Sequence, residues 1–328
     1  MYIVTGGAGF IGSAMVWKLN RMGVDDIWIV DRLRQGEKWK NIQGLRFREI
    51  IPPDQFAENV RRGGGLPGDA EALIHLGACS STTETDADYL LDNNFRYARD
   101  LAEAALARDV RLVHASSAAV YGGGELGYED GSGNLPRLRP LNMYGLSKLM
   151  FDRWAAAGGA LGRLTSLRFF NVYGPNEYHK GEMASLICRS YRQVAAGGPM
   201  TLFKSHRPDC ADGEQKRDFV YVKDVVDVIW WLLENPGAVG ILNVGSGAEE
   251  TWNQLALALF AAVGRAPDIR YADMPENLRG KYQYHTRADI GRLRAAGYRG
   301  AFRPLAEGAR DYVARHLAQP NPHIDNDA

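Results

Sequence analysis

The chain has 328 residues, enough to bury a large core and build two lobes. Hydrophobic residues make up 45% and charged residues 24%, the balance of a globular protein. Lys plus Arg and Asp plus Glu each number 39, so a net charge of zero offers no field to draw in nucleic acid or a membrane surface. No apolar run is long enough to span a bilayer. An apolar strand begins at the amino terminus with no basic stretch before it, so no signal peptide is expected. The three cysteines, Cys79, Cys188 and Cys210, are too few and odd in number for a disulfide framework, and point to a cytoplasmic protein.

The first half alternates strand-like and helix-like runs. Ile3-Val4 lies in an apolar run that ends at Thr5-Gly6-Gly7. Phe10 to Leu19 reads as a helix stopped by Gly23, and Ile27 to Val30 as a second strand ending at Asp31. Leu45 to Ile50 alternates apolar and charged residues, as a less buried strand does. A short helix is expected from Pro52-Pro53-Asp54 with Asp54 as its cap, then a glycine-rich turn from Arg61 to Gly68. Ala72 to Leu76 is the fourth strand, Asp86 to Arg108 a long helix, and Leu112 to Ala115 a fifth strand running into Ser116-Ser117. Gly122 to Pro140 marks a loop. A helix opens at Tyr144, and Ser166 to Phe170 forms a sixth strand. Later, Met183 to Ala196, Val225 to Leu233 and the runs from Trp252 and Leu305 read as helices. Thr201-Leu202-Phe203, Phe219-Val220-Tyr221 and Ile241 to Val244 read as strands, and Ser205 to Lys216 as a polar surface loop.

Strands that alternate with helices imply parallel βαβ units, so the fold class is α/β: a Rossmann-like doubly wound parallel sheet with a smaller α+β substrate lobe. The expected division is a dinucleotide-binding domain over residues 1–172, with returns from about 215–248. A mainly substrate-binding lobe covers 173–318, and a polar tail over 319–328, with two prolines, is expected to fray. Ligands bind outside the carboxyl ends of such strands. Gly7, Asp31, His75-Leu76-Gly77, Ser117 and Asn171 all follow strands and so share one edge.

Two patterns on that edge carry chemistry. Gly6-Gly7-Ala8-Gly9-Phe10-Ile11-Gly12 joins the first strand to the first helix, and its Gly7, Gly9 and Gly12 fit Gly-x-Gly-x-x-Gly. Such glycines let backbone approach a pyrophosphate at a helix amino terminus. Asp31 suits the ribose hydroxyls of NAD. Arg32, with Lys38 close by, suits the 2′-phosphate of NADP, and the reading leans to NADP with NAD left open. Tyr144 and Lys148 lie four apart, on one helix face. A free phenol titrates at about 10, and a fixed cation lowers that value, which makes the pair a candidate base for a hydroxyl proton. Taken alone, the five residues Tyr144 to Lys148 read more as packing than as chemistry. No histidine or cysteine spacing resembles a metal site.

Together with Ser117, these residues resemble the extended short-chain dehydrogenase/reductases of the NAD-dependent epimerase/dehydratase family. Within them, the chain is similar from residue 1 to about Arg315 to the ADP-L-glycero-D-manno-heptose 6-epimerases. The resemblance rests on Ile3 to Ser13, Gly77-Ala78-Cys79-Ser80-Ser81-Thr82-Thr83-Glu84, Asp92-Asn93-Asn94 and Ser116-Ser117-Ala118-Ala119. It continues through Phe170-Asn171-Val172-Tyr173-Gly174-Pro175, His179-Lys180-Gly181 and Lys216-Arg217-Asp218-Phe219-Val220-Tyr221-Val222. It implies an isomerase that inverts C6 of the heptose in ADP-D-glycero-D-manno-heptose by transient oxidation on bound NADP, for lipopolysaccharide core synthesis. It also implies a homo-oligomer, by family habit a pentamer. Cofactor contacts would come from Gly6, Gly9, Phe10, Ile11, Gly12, Asp31, Arg32, Lys38, Leu76, Gly77, Ala78, Cys79, Ser80, Asn93, Lys148, Val172 and Lys180. The ADP-sugar would meet Ser81, Asn171, Glu182, Arg189, Phe203, Arg217 and Tyr282. Tyr144 and Lys180 would be the two acid/base groups, with Lys148 and Ser117 assisting Tyr144.

Departures from that pattern cluster on the substrate side. Glu182 stands for a usual serine, Arg189 for a usual histidine, and Phe203-Lys204-Ser205-His206 for a usual Phe-Glu-Gly-Ser. Pro53 stands where a cofactor-contacting lysine is frequent. Ala118 and Ala119 occupy places where related dehydratases carry Asp-Glu, and methyl groups move no protons, so water elimination is disfavoured. The alternatives are another nucleotide-sugar epimerase, of the UDP-sugar 4-epimerase type, and a non-catalytic dinucleotide-binding module.

Overall fold

The computed structural model describes residues 1–280 and 282–326. Its first half runs β1 (Tyr2–Thr5), α1 (Phe10–Arg21), β2 (Ile27–Val30), β3 (Glu49–Ile51), α2 (Pro53–Asn59), β4 (Ala72–His75), α3 (Ala87–Leu90) and α4 (Tyr97–Ala107). It continues with β5 (Arg111–Ser117), α5 (Met143–Ala157), β6 (Leu164–Phe169) and β7 (Asn171–Tyr173). The second half holds α6 (Leu186–Ala195), β8 (Met200–Phe203), β9 (Lys216–Arg217), β10 (Phe219–Tyr221), α7 (Val222–Glu234) and β11 (Gly240–Val244). Then come β12 (Glu250–Thr251), α8 (Trp252–Val263), β13 (Ile269–Ala272), α9 (Glu276–Arg279), α10 (Gly291–Ala295) and α11 (Leu305–Tyr312).

Seven strands form one parallel sheet in the order β11-β6-β5-β4-β1-β2-β3. Side chains alternate across a strand, and here both faces are apolar. Ile3, Leu73 and Leu112 pack under α4 and α5 with Leu101, Ala102, Phe151 and Ala155. Val4, Ile74 and Val113 pack under α1 and α7 with Met15, Leu19, Val225 and Ile229. The strand β11 reaches the sheet only after the chain has left it at β6 and begun the second lobe. That lobe has its own core, in which Tyr173, Ile187, Leu202 and Phe219 meet Leu255, Leu259, Leu305 and Tyr312. Among the described residues no helix is long and apolar enough to cross a membrane.

Several local expectations are corrected. The third strand is only Glu49–Ile51, not Leu45 to Ile50. Asp54 is not the cap of α2: Pro52 precedes the helix, Asp54 lies in the first turn, and its carboxylate takes the Arg32 guanidinium. The glycine-rich turn expected from Arg61 to Gly68 opens as a wide helical turn, Val60–Gly64, that continues α2. The tail through Asn326 does not fray. Ile324 is 2% exposed and its N–H donates to Asn176 Oδ1 at 2.9 Å. One apolar side chain and a buried amide acceptor hold a segment whose composition is otherwise that of a solvated end; Asp327 and Ala328 lie outside the described residues.

Candidate active site

The loop from Thr5 to Phe10 carries the first half of the site. Gly6 has φ +66°, and a Cβ there would meet Gly77 Cα at 2.7 Å. A Cβ on Gly12 would lie 1.9 Å from the Gly6 carbonyl oxygen, so α1 rises from the loop only because that position is bare. Asp31, at the end of β2, braces the loop by accepting from Ala8 N–H at 2.9 Å. Its other oxygen accepts from Arg32 N–H at 2.7 Å and Lys38 Nζ at 2.5 Å. Asp31 is thus an ion-paired structural carboxylate, while Arg32 reaches out toward Asp54.

The second half is carried by β5 and α5. Asn142 caps α5 by accepting from Gly145 N–H at 2.8 Å. A Cβ on Gly145 would sit 2.7 Å from the Ala119 carbonyl, so the helix start packs directly on the turn after Ser117. Asn94 braces two pieces at once. Its Oδ1 accepts from Cys79 N–H at 2.8 Å, and its Nδ2 donates to Ser147 Oγ at 3.1 Å. Beneath them, Asp152 on α5 is fully buried. It accepts from Ser166 Oγ at 2.7 Å, Ser116 Oγ at 3.2 Å and Arg168 Nε at 3.0 Å, which ties α5 to β5 and β6.

Tyr144, Lys148 and Ser117 face one cavity of about 390 Å³ that also takes in Gly6, Gly9, Phe10, Ile11, Gly12, Asp31, Lys38, Leu76, Gly77, Ala78, Ser80, Asn171, Val172, His179 and Lys180. A contiguous cleft of about 520 Å³ adds Arg32, Pro53, Cys79, Tyr89 and Asn93. A bare loop at a helix amino terminus, opening on a long cleft along the carboxyl ends of the strands, fits an extended dinucleotide.

The electrostatics differ from the simple picture of a phenol acidified by its lysine. Desolvation pushes the Tyr144 phenol up, and a hydrogen bond with Ser117 pulls it partly back. Lys148 donates to the Ala115 carbonyl at 2.8 Å, and burial brings its ammonium down to about 8, against the opposing pull of Asp152. Side chains alone therefore keep Tyr144 protonated. Lys180 sits 5.2 Å over the Phe10 ring, its pKa lowered by burial and held up by Glu177. The Glu177 carboxyl is itself raised by burial, while Ser185 and the Gly174 N–H hydrogen-bond it.

Of the residues expected on the substrate side, Asn171 lines the cavity. Arg217 stands two residues before Phe219, the pairing partner of Asn171. Its guanidinium lies 4.9 Å from the Tyr282 ring and 5.7 Å from that of Trp252, and Trp252 Nε1 donates to Tyr282 Oη at 2.8 Å. Ser81, half-buried, bonds Thr83 at 3.1 Å. Glu182 and Arg189 are not brought to the cavity: both are exposed and pair with each other at 3.2 Å, and Phe203 is 38% exposed on β8. Opposite charges seven apart in sequence satisfy one another there. Trp252, Asn94, Asp152, Asn41 and Asn176 escaped the sequence reading. Only Asn94 lay in a motif that could have flagged it; the others act through partners distant in sequence.

The model of the NAD dependent epimerase/dehydratase family matches residues 2–245. The chain is 55% identical over 324 residues to an ADP-L-glycero-D-manno-heptose-6-epimerase of Nitratidesulfovibrio vulgaris, a match covering 99% of this chain and 100% of that one. Among solved structures it is similar to the Helicobacter pylori ADP-L-glycero-D-manno-heptose-6-epimerase, with TM-score 0.81 and 27% identity over 96% of this chain and 95% of that one. It is also similar to the Thermus thermophilus UDP-glucose 4-epimerase in complex with NAD, with TM-score 0.74 and 28% identity over 95% and 97%.

Proposed function

The chain belongs to the NAD dependent epimerase/dehydratase family, and from that premise we propose that it inverts C6 of the heptose in ADP-D-glycero-D-manno-heptose to give ADP-L-glycero-D-manno-heptose, a step in lipopolysaccharide core synthesis. The observation that carries the reading is the meeting of two proton-exchanging groups, Tyr144 and Lys180, on one cavity. Full-length similarity to curated heptose epimerases supplies the sugar.

A carbinol C–H is not acidic, so a stereocentre of this kind is inverted by taking it to a carbonyl and back. A dinucleotide held along the Gly6–Gly12 loop, Asp31 and Lys148 would supply the hydride acceptor and donor for that passage. Tyr144 Oη takes the hydroxyl proton and gives it back, with Ser117 Oγ directing the oxygen. The positive charge of a bound nicotinamide, beside Lys148, would offset the burial that otherwise keeps the phenol protonated, and Lys148 orients the cofactor ribose. Lys180 serves as the second acid/base group, which inversion requires when the oxygen stands on different sides in the two epimers. Ala118 and Ala119 carry no proton, which favours epimerisation over elimination. Asn171, Arg217 and Tyr282 hold the nucleotide sugar, and Arg217 between aromatic faces suits a base and diphosphate.

The cofactor is a nicotinamide dinucleotide, and we read it as NADP. Asp31 is engaged by the Ala8 and Arg32 N–H groups and by Lys38, so it offers little to ribose hydroxyls, and the Arg32 guanidinium, paired here with exposed Asp54, would exchange that partner for a 2′-phosphate. The enzyme is further read as a cytoplasmic homo-oligomer.

The test is to incubate purified protein with either ADP-heptose epimer, without added cofactor, and follow the C6 epimers by NMR. Interconversion is expected. Turnover confined to UDP-hexoses would replace the reading with a UDP-sugar 4-epimerase. Mass spectrometry of the released dinucleotide should show the extra phosphate of NADP; NAD alone would reverse the role given to Arg32.

A further inference from the structure

We propose that the carboxyl-terminal segment, residues 320–326, is a strap that positions the loop carrying Lys180, so that the acid/base group is set from the far end of the chain. The inference rests on the role given to Lys180 above.

The loop in question runs from Gly174 to Met183; Tyr178–Met183 forms a short 3-10 turn kinked at Gly181, and the residues before it are held by side chains. Ahead of that turn stands Asn176 at φ +74°, in the left-handed region. Asn176 is fully buried, and its Nδ2 donates to Ser13 Oγ at 2.9 Å, behind the dinucleotide loop. Its Oδ1 has the strap as partner: Ile324 N–H donates to it at 2.9 Å. Two residues on, Tyr178 Oη donates to the Pro322 carbonyl at 2.7 Å, and its ring meets that of His323 edge-on at 5.1 Å.

A second line of contacts converges through Asn41, which is 1% exposed. Its Nδ2 lies within 3.0 Å of the Ala8 and Asn176 carbonyls and 3.1 Å of His179 Nδ1. With the amide so oriented, Asn41 Oδ1 can only accept, and the donor is His323 Nδ1 at 3.0 Å. One amide therefore links the dinucleotide loop, the residue preceding Lys180 and the strap. The end of the strap is seated by Asn326 Nδ2, which donates to the Gly44 carbonyl at 2.9 Å. The surface under it is bare where it passes: a Cβ on Gly44 would lie 2.7 Å from Asp325 Cβ.

Without the strap, Asn176 Oδ1 loses the Ile324 N–H and Tyr178 Oη the Pro322 carbonyl, and the loop is left with its attachments through Glu177, Asn41, Ser13 and the rings of Phe10 and Tyr312. Lys180 itself touches none of the strap, so residues 320–326 are positioning residues. Three variants unseat the strap by independent routes: truncation after Gln319, Ile324→Asp and Gly44→Ala. Ile324→Val is the conservative control.

Two readouts decide the matter. Amide hydrogen exchange at residues 176–183 should quicken at least tenfold in the three variants, while α5 and the central strands keep wild-type protection. With ADP-heptose, kcat should fall at least tenfold while KM stays within twofold, and Ile324→Val should restore both readouts. Unchanged exchange at 176–183 in the variants overturns the strap whatever the substrate proves to be. Exchange that quickens while kcat holds overturns its role in setting Lys180. If the wild-type enzyme fails to turn over ADP-heptose, the functional reading falls, and the exchange result still decides whether the strap holds the loop.

Discussion

Replacing Lys148 by methionine should abolish turnover and leave the fold at least as stable as before. The ammonium is 2% exposed, and burial lowers it from 10.5 to about 8. That drop corresponds to ~3 kcal/mol held against the charged form in the folded state. Methionine removes that penalty and also the hydrogen bond to the Ala115 carbonyl, a loss of about 1–3 kcal/mol for a buried acceptor left unpaired. The net at pH 7 is a gain between about 0 and 2 kcal/mol. The pH dependence is sharper. Between pH 8 and 10.5 the unfolded chain keeps the Lys148 proton and the folded chain sheds it, so wild-type stability rises with pH relative to the variant. The difference should move by about 2 kcal/mol in favour of the wild type from pH 8 to pH 10. The assay is urea denaturation of dinucleotide-free wild type and Lys148→Met at matched ionic strength across that window. A difference that stays flat with pH, or a variant more than about 1 kcal/mol less stable at pH 7, refutes the argument that burial dominates this lysine.

Tyr144→Phe and Lys180→Ala should each retain bound dinucleotide and lose about 10²-fold or more in kcat, the scale of a positioned acid or base; activity of Lys180→Ala equal to wild type would remove Lys180 from the mechanism. Asp152→Ala leaves the buried Arg168 guanidinium without its carboxylate and should cost about 3–5 kcal/mol in urea denaturation. Adding Arg168→Met should return part of that loss, and a double variant no more stable than the single one counts against the ion pair as the cause.

The parts of this molecule that could be read in advance are those governed by local repetition. Strands buried on both faces, such as Ile27–Val30 and the first three residues of Ala72–His75, are continuous apolar runs, and the glycines before Phe10 mark a close approach of backbone that a side chain would block. What could not be read depends on pairing over distance. Asp152 is an ordinary helix residue until Arg168 and two serines fold around it. Asn41 and Asn176 are 135 positions apart, and nothing local to either says that they meet. The tail was misread because average polarity is a poor guide when one isoleucine and a few amide contacts suffice to dock it. The phenol pKa was misread for a related reason: helix spacing places a lysine beside a tyrosine, but burial of both decides what the charge does.

The late arrival of β11 has a consequence for how the enzyme is made. The sheet that floors the dinucleotide cleft stays open along β6 until Gly240–Val244 has been added, and α7, which roofs α1, lies in the same late stretch. A nascent chain halted after Tyr173 would present a bare strand edge and an uncovered apolar face, the ingredients of aggregation. The ribosome must therefore release roughly three quarters of the protein before the first half can close.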